Sequence, residues 1–456
     1  MAGSTLLASA RHIQRSSRVS EAPLCHLPYN NLSPEVPMKI AIIVTEFPST
    51  TETFIMRDVV KFLDWGHDVR LYHLLPYNRR ATLHDFAKQV VPRARGIRFF
   101  DGRVLRETLS VAVRRAPTLL RILGDLLRHG WKDPEIIVKS FGIVPKSLVI
   151  ARELQAWDAE HVHGEFAGHP TTCAWIVHRM TAIPYSASCR AHDIFIRQTL
   201  LGLTLWEAAA VRCISRYNID FLRRHVPKLR TKPMQVIHSS IDLSTIQVSD
   251  REPKAVFSIL YVGSLTPRKG VDDLLNALAQ LPQGLTWTLT LIGDGQERQA
   301  LEHLTAVLRI SDSIRFAGPQ RFEQVALAYR DCDVLVAPSR FGRAGRTEGI
   351  PNVVIEALGH QRPVITTRIS GIPELVEDGV TGLLVEPNDP QSLCRALQRV
   401  YNDPAAADAM AKRGRARVES EFDLDKNASK QIAMFEAANR ADPSGGDVPA
   451  DAASRG

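Results

Sequence analysis

The stretch Thr347–Glu356, read as TEGIPNVVIE, sets two glutamates eight positions apart with Gly349 and Pro351 between them. Proline suits the first turn of a helix, where its missing N–H costs nothing, and Asn352 to His360 continues with helix-compatible residues and an apolar side. Glu348 therefore stands just ahead of a helix, and Glu356 lies inside it, about two turns further on. The free amides and positive dipole end of such an N-terminus suit a phosphate or a polar sugar, and a glutamate beside them accepts hydrogen bonds from hydroxyls. Two glutamates at this spacing are also ordinary on a solvated helix, so their meaning rests on what surrounds them.

Before this stretch, Asp333 to Ser339 reads as a strand ending in Ala337-Pro338-Ser339. Ser258 to Val262 is another, followed by Gly263-Ser264-Leu265-Thr266-Pro267-Arg268-Lys269-Gly270 and a helix from Val271 to Leu281. A strand, a polar glycine-containing loop and a helix start form an anion site, to which Lys269 adds a full charge. Thr286–Ile292 and Ser313–Gly318 supply two more strands. In the first half, Met38–Thr45 is an apolar β-branched run that leads through the polar turn Glu46–Glu52 into a helix, Thr53–Trp65, and a strand, Val69–Leu74. That is a βαβ unit. Ala159–His169 is a short strand and loop carrying His161, His163, Glu165 and His169; Ile183–Ser188 is a strand followed by Arg190-Ala191-His192-Asp193; Ala210–Ser215 is another. Each motif falls at the carboxyl end of a strand, where open α/β sheets bind ligands. The spacing of His161, His163, Glu165 and His169 suits a metal, but no second cluster completes a coordination sphere, so none is expected.

The chain of 456 residues is too long for one ordinary core and suggests two domains of about 200 residues each. A net charge of +8 points to a polyanionic partner, without choosing among nucleic acid, anionic lipid and phosphorylated substrate. Six cysteines without a C-x-x-C pair or metal spacing read as reduced cytosolic thiols. No run is apolar enough to span a bilayer or to serve as a signal-peptide core. Between Arg93 and Lys146, Arg103, Arg106, Arg114, Arg115, Arg121 and Arg128 are interleaved with Leu105, Leu109, Val113, Leu119, Leu120, Leu123, Leu126 and Leu127. This reads equally as a basic amphipathic helix in an anionic lipid surface and as a surface helix packed by its leucines.

Glu348, Gly349, Pro351, Glu356 and Ala357, followed by Arg362-Pro363-Val364, resemble the E-x7-E motif of the retaining glycosyltransferases called group 1 or family 4. The likeness continues through Gly371–Val376 and Gly379–Val385, and the turn F-P-x-x-x-E-T-F at Phe47–Phe54 resembles a branch that makes bacterial exopolysaccharides of the colanic-acid type. The resemblance implies an α/β fold of the GT-B type, two facing Rossmann-like domains with an interdomain cleft and a C-terminal crossover helix. The expected organisation is a disordered extension over 1–37, an acceptor domain over 38–235, a nucleotide-sugar domain over 236–410, a crossover helix over 411–440 and a flexible tail over 441–456.

The implied activity is transfer of a hexosyl unit, with retention and without a metal or other cofactor, from a UDP- or GDP-sugar to a glycan or lipid-linked acceptor. The implied setting is the cytoplasm, at the inner face of an anionic plasma membrane. Carried over residue by residue, Glu348, Lys269 and His192 are the catalytic candidates, and Glu356, Gly349, Ile350, Pro351, Gly263, Ser264 and Arg268 those that hold the nucleotide-sugar. His163 and Glu52 are placed at the acceptor cleft. Two departures stand out: Ser264 occupies the place of an arginine, for which Arg268, Arg343 or Arg346 would substitute, and the usual Gly-Gly of the first loop is absent. They keep two other readings open, an epimerase of the same fold and an inactive scaffold homologue. A nucleic-acid partner is not expected, because no stacking platform or reading motif accompanies the charge.

Overall fold

The computed structural model describes residues 36–49, 52–78, 85–98, 101–249, 251, 254–342 and 347–440. The expected N-terminal extension up to residue 35, the tail from residue 441, Arg343 and Arg346 lie outside the described residues.

The first domain is built on a 7-stranded parallel sheet in the order β3-β2-β1-β4-β5-β6-β7. Its strands are β1 (Lys39–Val44), β2 (Asp68–His73), β3 (Ala94–Gly96), β4 (His161–Glu165), β5 (Tyr185–Cys189), β6 (Ala210–Cys213) and β7 (Gln235–Val236). The second domain carries a 6-stranded parallel sheet in the order β10-β9-β8-β11-β12-β13. These strands are β8 (Phe257–Val262), β9 (Trp287–Ile292), β10 (Ile314–Gly318), β11 (Val334–Ala337), β12 (Val364–Thr367) and β13 (Leu383–Val385). Both sheets reverse direction between their first and fourth strands, β1/β4 and β8/β11. That switch point opens a crevice beyond the carboxyl ends of the strands.

The apolar runs fold this way because both faces of a parallel sheet are covered. In β1, Ala41 and Ile43 point into one cluster and Ile40, Ile42 and Val44 into the other, as a period of two requires. The first domain's helices are α1 (Thr53–Asp64), α2 (Gly102–Arg114), α3 (Ala116–Gly130), α4 (Pro134–Ala156), α5 (His169–Thr181), α6 (His192–Phe195), α7 (Leu201–Glu207) and α8 (Arg216–His225). The second adds α9 (Val271–Leu278), α10 (Arg298–Val307), α11 (Phe322–Asp331), α12 (Asn352–Gly359), α13 (Ile372–Leu375), α14 (Pro390–Asn402), α15 (Pro404–Glu421) and α16 (Leu424–Arg440).

Two features differ from expectation. The C-terminal segment, expected to hold one crossover helix over 411–440, breaks at Phe422-Asp423. There Ile241 donates to the Phe422 carbonyl and Leu424 donates to the Ile241 carbonyl, so the two crossings between domains pair with each other as a short parallel bridge. Helix α15 stays with the second domain, whereas α16 returns to the first, where Phe435 meets Phe62 at 6.1 Å. In the basic segment the buried positions of α2 and α3 are Val104, Val111, Ile122 and Leu126. Leu105, Leu109, Val113, Leu120 and Leu127 face solvent, so the packing by its leucines holds only in part.

Candidate active site

On the second-domain side, the loop after β8 and the residues after β11 converge. Gly270 makes this possible: it sits at φ +63°, and a Cβ there would lie 2.1 Å from the Pro338 carbonyl oxygen, so only glycine lets the Lys269 turn pass beneath Pro338. Lys269 Nζ then donates to Glu348 Oε2 at 2.7 Å, Arg268 Nη1 stands 3.2 Å from Oε1, and Ser339 Oγ donates at 3.3 Å. Burial alone pushes the Glu348 carboxyl up; Lys269 and Arg268 outweigh it and hold the group below the usual carboxylate range. The result is an ionised carboxylate pinned between two cations. Among the described residues neither the Gly349 nor the Ile350 amide donates a hydrogen bond. Pro351 precedes α12 as its N-cap, and the Ile350 side chain is buried in the core. Gly263 lies against Lys269, while the Ser264 side chain is exposed and its carbonyl accepts from Tyr261 Oη.

Glu356 projects from the middle of α12. Tyr329 Oη donates to Oε2 at 3.1 Å, and Arg57 Nη2, from α1 of the first domain, reaches Oε1 at 3.4 Å. The other Arg57 nitrogen, Nη1, is buried without a partner among the described residues. Arg57, Tyr329, Glu356, Phe322 and His360 line a cavity of about 300 Å³ between the domains.

The first-domain wall is built by strand periodicity. Ser186, Ser188 and Arg190 fall on one face of β5 and its extension, alongside His163 and Glu165 of β4. Arg190 donates through Nε and Nη2 to Glu165 Oε2 at 3.0 and 2.8 Å and through Nη1 to Ser239 Oγ at 3.2 Å, with its guanidinium 4.1 Å from the Phe54 ring centre. Burial raises the Glu165 carboxyl, but Arg190 and His163 more than reverse this and hold it far below the ordinary range. The Arg190 carbonyl lies 3.4 Å from where a Gly349 Cβ would stand, and Ile214 Cδ1 lies 2.7 Å from it. Here the two walls touch.

His163 is wholly buried behind this surface. Its ring nitrogens are taken up by Ser186 Oγ and Ser188 Oγ at 2.7 and 2.9 Å, and its ring lies 5.0 Å from Phe435, so its reach to the cleft runs through Glu165 and Arg190. His192 opens α6 at an exposed position 5.3 Å from the Phe166 ring. It lines a separate cavity of about 170 Å³ with His169, Arg197 and Ile136. Asp193 beside it ties the loops after β4 and β5 together through the Ala167 and Ala191 amides at 2.8 and 2.6 Å. Glu52 ends the loop after β1 as the N-cap of α1; burial pushes its carboxyl up to about 7 although Arg190 pulls it down, with Glu165 and Glu46 adding to the rise. Among the described residues no group of three His, Cys, Asp or Glu side chains could hold a metal ion.

Arg190, Phe54, Arg57 and Tyr329 are the site residues that reading the sequence missed. For Arg190 a signal existed: counting by twos from Ser186 and Ser188 reaches Arg190 one residue past β5, whereas His192 opens α6.

Two facing Rossmann-like domains with an anion-suited loop, a pinned carboxylate and a second carboxylate on the following helix define a GT-B transferase. The family model "Glycosyl transferases group 1" matches residues 256–403. The glycogen synthase of Mycobacterium tuberculosis is 33% identical over 389 residues, 82% of this chain and 88% of that protein. A putative colanic acid biosynthesis glycosyltransferase, WcaL of Salmonella typhimurium, is 24% identical over 415 residues, 87% of this chain and 99% of that protein. Among solved structures, Anabaena HepE in complex with UDP superposes with a TM-score of 0.65 at 16% identity, over 88% of this chain and all of that one (100%). The chain belongs to the group 1 glycosyl transferases.

Proposed function

We propose that the chain transfers a hexosyl unit from a UDP- or GDP-sugar to a glycan or lipid-linked saccharide, with retention and without a metal, in cytoplasmic exopolysaccharide assembly. The observation that carries this reading is the pairing of Lys269 and Arg268 with Glu348 at the β8/β11 switch point, beside the Gly349 and Ile350 amides, which donate to no partner among the described residues. HepE holds UDP on the same fold, and the likeness to WcaL supports the exopolysaccharide setting.

In this reading the donor diphosphate lies against Lys269, Arg268 and the start of α12, Glu356 accepts from the ribose hydroxyls, and Glu348 and the adjoining amides hold the sugar ring. Arg57, with one nitrogen unpartnered among the described residues, closes over the nucleoside from the first domain. As the bond from the anomeric carbon to the phosphate oxygen breaks, charge grows on the departing diphosphate, and Lys269 and the amides stabilise it where it forms. The acceptor oxygen bonds to the anomeric carbon on the same face, and its proton passes to the departing phosphate oxygen. Glu52 and Arg190 form the acceptor wall, with Glu165 and His163 fixing Arg190 from behind.

The test is thermal stability against UDP, GDP, ADP and their sugars, with and without EDTA, for the native chain and Glu356→Ala. A ligand that binds only the folded state raises stability as ln(1 + [L]/Kd). One nucleotide class should shift the midpoint, unchanged by EDTA and lost in the variant; no shift with any nucleotide overturns the reading.

A further inference from the structure

Helices α2 and α3 form an outward face whose composition the fold does not explain. On α2, Leu105, Leu109 and Val113 recur every fourth residue; on α3, Leu120, Leu127 and Trp131 follow the same helical spacing. A core would hide these positions, yet Leu105 is 65% exposed, Val113 83%, Leu120 67% and Trp131 67%. The opposite stripes, Val104 and Val111 on α2 and Ile122 and Leu126 on α3, already bury the helices against α4. The exposed stripes therefore add nothing to folding and cost solubility. They are flanked by the exposed side chains of Arg106, Arg114, Arg121 and Arg128, which make no ion pair among the described residues. Over 102–132 every exposed charged side chain is cationic.

The charge pattern decides the occupant. A second copy docked face to face would oppose arginine with arginine, and a nucleic acid would leave the leucines in water. An anionic bilayer satisfies both halves at once, the apolar stripes entering the boundary between headgroups and chains while the guanidinium groups stay among the phosphates.

We propose that the α2–α3 face is a docking surface for an anionic phospholipid bilayer, which holds the first domain, with the acceptor wall of Glu52 and Arg190, at the surface where a lipid-linked acceptor is anchored. This rests on the transferase reading only for its acceptor; the lipid contact stands on α2 and α3 alone.

The experiment is sedimentation of the full chain with vesicles of phosphatidylglycerol and phosphatidylcholine, or of phosphatidylcholine alone. The native chain should partition onto the anionic vesicles at least tenfold more strongly, and less so as salt rises. Leu109→Asp with Leu120→Asp should abolish the partitioning. Arg106→Gln, Arg121→Gln and Arg128→Gln together should weaken it on the order of 100-fold, with about fivefold arising from each charge. The triple variant keeps every apolar side chain, so it reports even if the aspartates unfold the protein. Equal partitioning onto both vesicles, no partitioning, or variants that bind like the native chain would overturn the proposal. So would a dimer in lipid-free sedimentation that the Leu→Asp pair dissolves. The nucleotide-induced thermal shift, read without lipid, should be unchanged in these variants, so failure of the transferase reading shows itself separately.

Discussion

Glu374 of the second domain and Arg216 of the first are joined across the cleft: Glu374 Oε2 accepts the Arg216 backbone amide at 2.8 Å, and Oε1 accepts that of Tyr217 at 2.8 Å. Helix α8 thus has two caps. Its own Ser215 Oγ accepts from the Asn218 amide at 3.1 Å, and a carboxylate from the other domain covers the two amides that Ser215 leaves open. The two caps separate experimentally. Ser215→Ala should destabilise the fold by roughly 0.5–2 kcal/mol, the usual range for a lost N-cap. Glu374→Ala removes the contact between domains together with the second cap, so it should in addition raise the donor KM and enlarge the radius of gyration in solution scattering. Unchanged scattering and kinetics would remove this contact from any role in closing the cleft.

Replacing Lys269 by methionine keeps the length of the side chain and deletes its charge. Transfer should slow by about 10²–10³-fold, the range seen when a charge-stabilising donor is removed. Glu348 keeps Arg268 and Ser339 as partners, so the chain should still fold, and melting curves recorded beside the kinetics separate lost stability from lost transfer. A kcat within tenfold of the native enzyme would assign the diphosphate to other groups.

Glu52 gives a pH dependence whose sign can be worked out. In the folded protein its carboxyl is pushed up to about 7, mainly by burial, from an ordinary value near 4.5. Between those values the folded state holds a proton that the unfolded chain has lost, so stability falls as pH rises through this window and levels off above it. Glu52→Gln should match the native chain near the acid end and become the more stable of the two above neutrality. The gap is expected to stay below about 3 kcal/mol. Melting curves taken across pH for both proteins check this; a constant difference would show that folding leaves the Glu52 carboxyl unshifted.

Two glycine substitutions should behave differently although both meet a close neighbour. Gly270→Ala forces a Cβ against the Pro338 carbonyl at a positive φ, and backbone cannot yield, so a loss of about 2 kcal/mol or more is expected. Gly349→Ala meets the tip of the Ile214 side chain, which can rotate away. Its stability should be nearly native and its activity lower, because the added methyl occupies the place where the two walls meet beside Glu348. Denaturant unfolding alongside kinetics separates the two.

Much of this was legible in the sequence because the second domain's motifs are contiguous. Lys269 and Glu348 each sit in a run that names its own strand, loop and helix, so their convergence follows from the crevice rule. The first-domain wall is written differently. Arg190 meets Glu165 across 25 residues, and Arg57 meets Glu356 across 299, distances over which no local pattern speaks. The Arg190-Ala191-His192-Asp193 run drew attention to its histidine, whereas the alternation of β5, carried one residue past its end, placed the arginine at the surface that matters. The break at Phe422-Asp423 was equally hidden, since helical composition continues through it and only the pairing with Ile241 interrupts the ladder.

That pairing has a mechanical consequence. The polypeptide passes between domains near Ile241 and again near Asp423, and hydrogen bonds fasten these passages side by side. Two separated straps would let one half of the molecule slide over the other. Strands bound at one spot act as a single pivot, so the halves are restricted to swinging about it like the arms of a pair of tongs. The residues farthest from that pivot travel most.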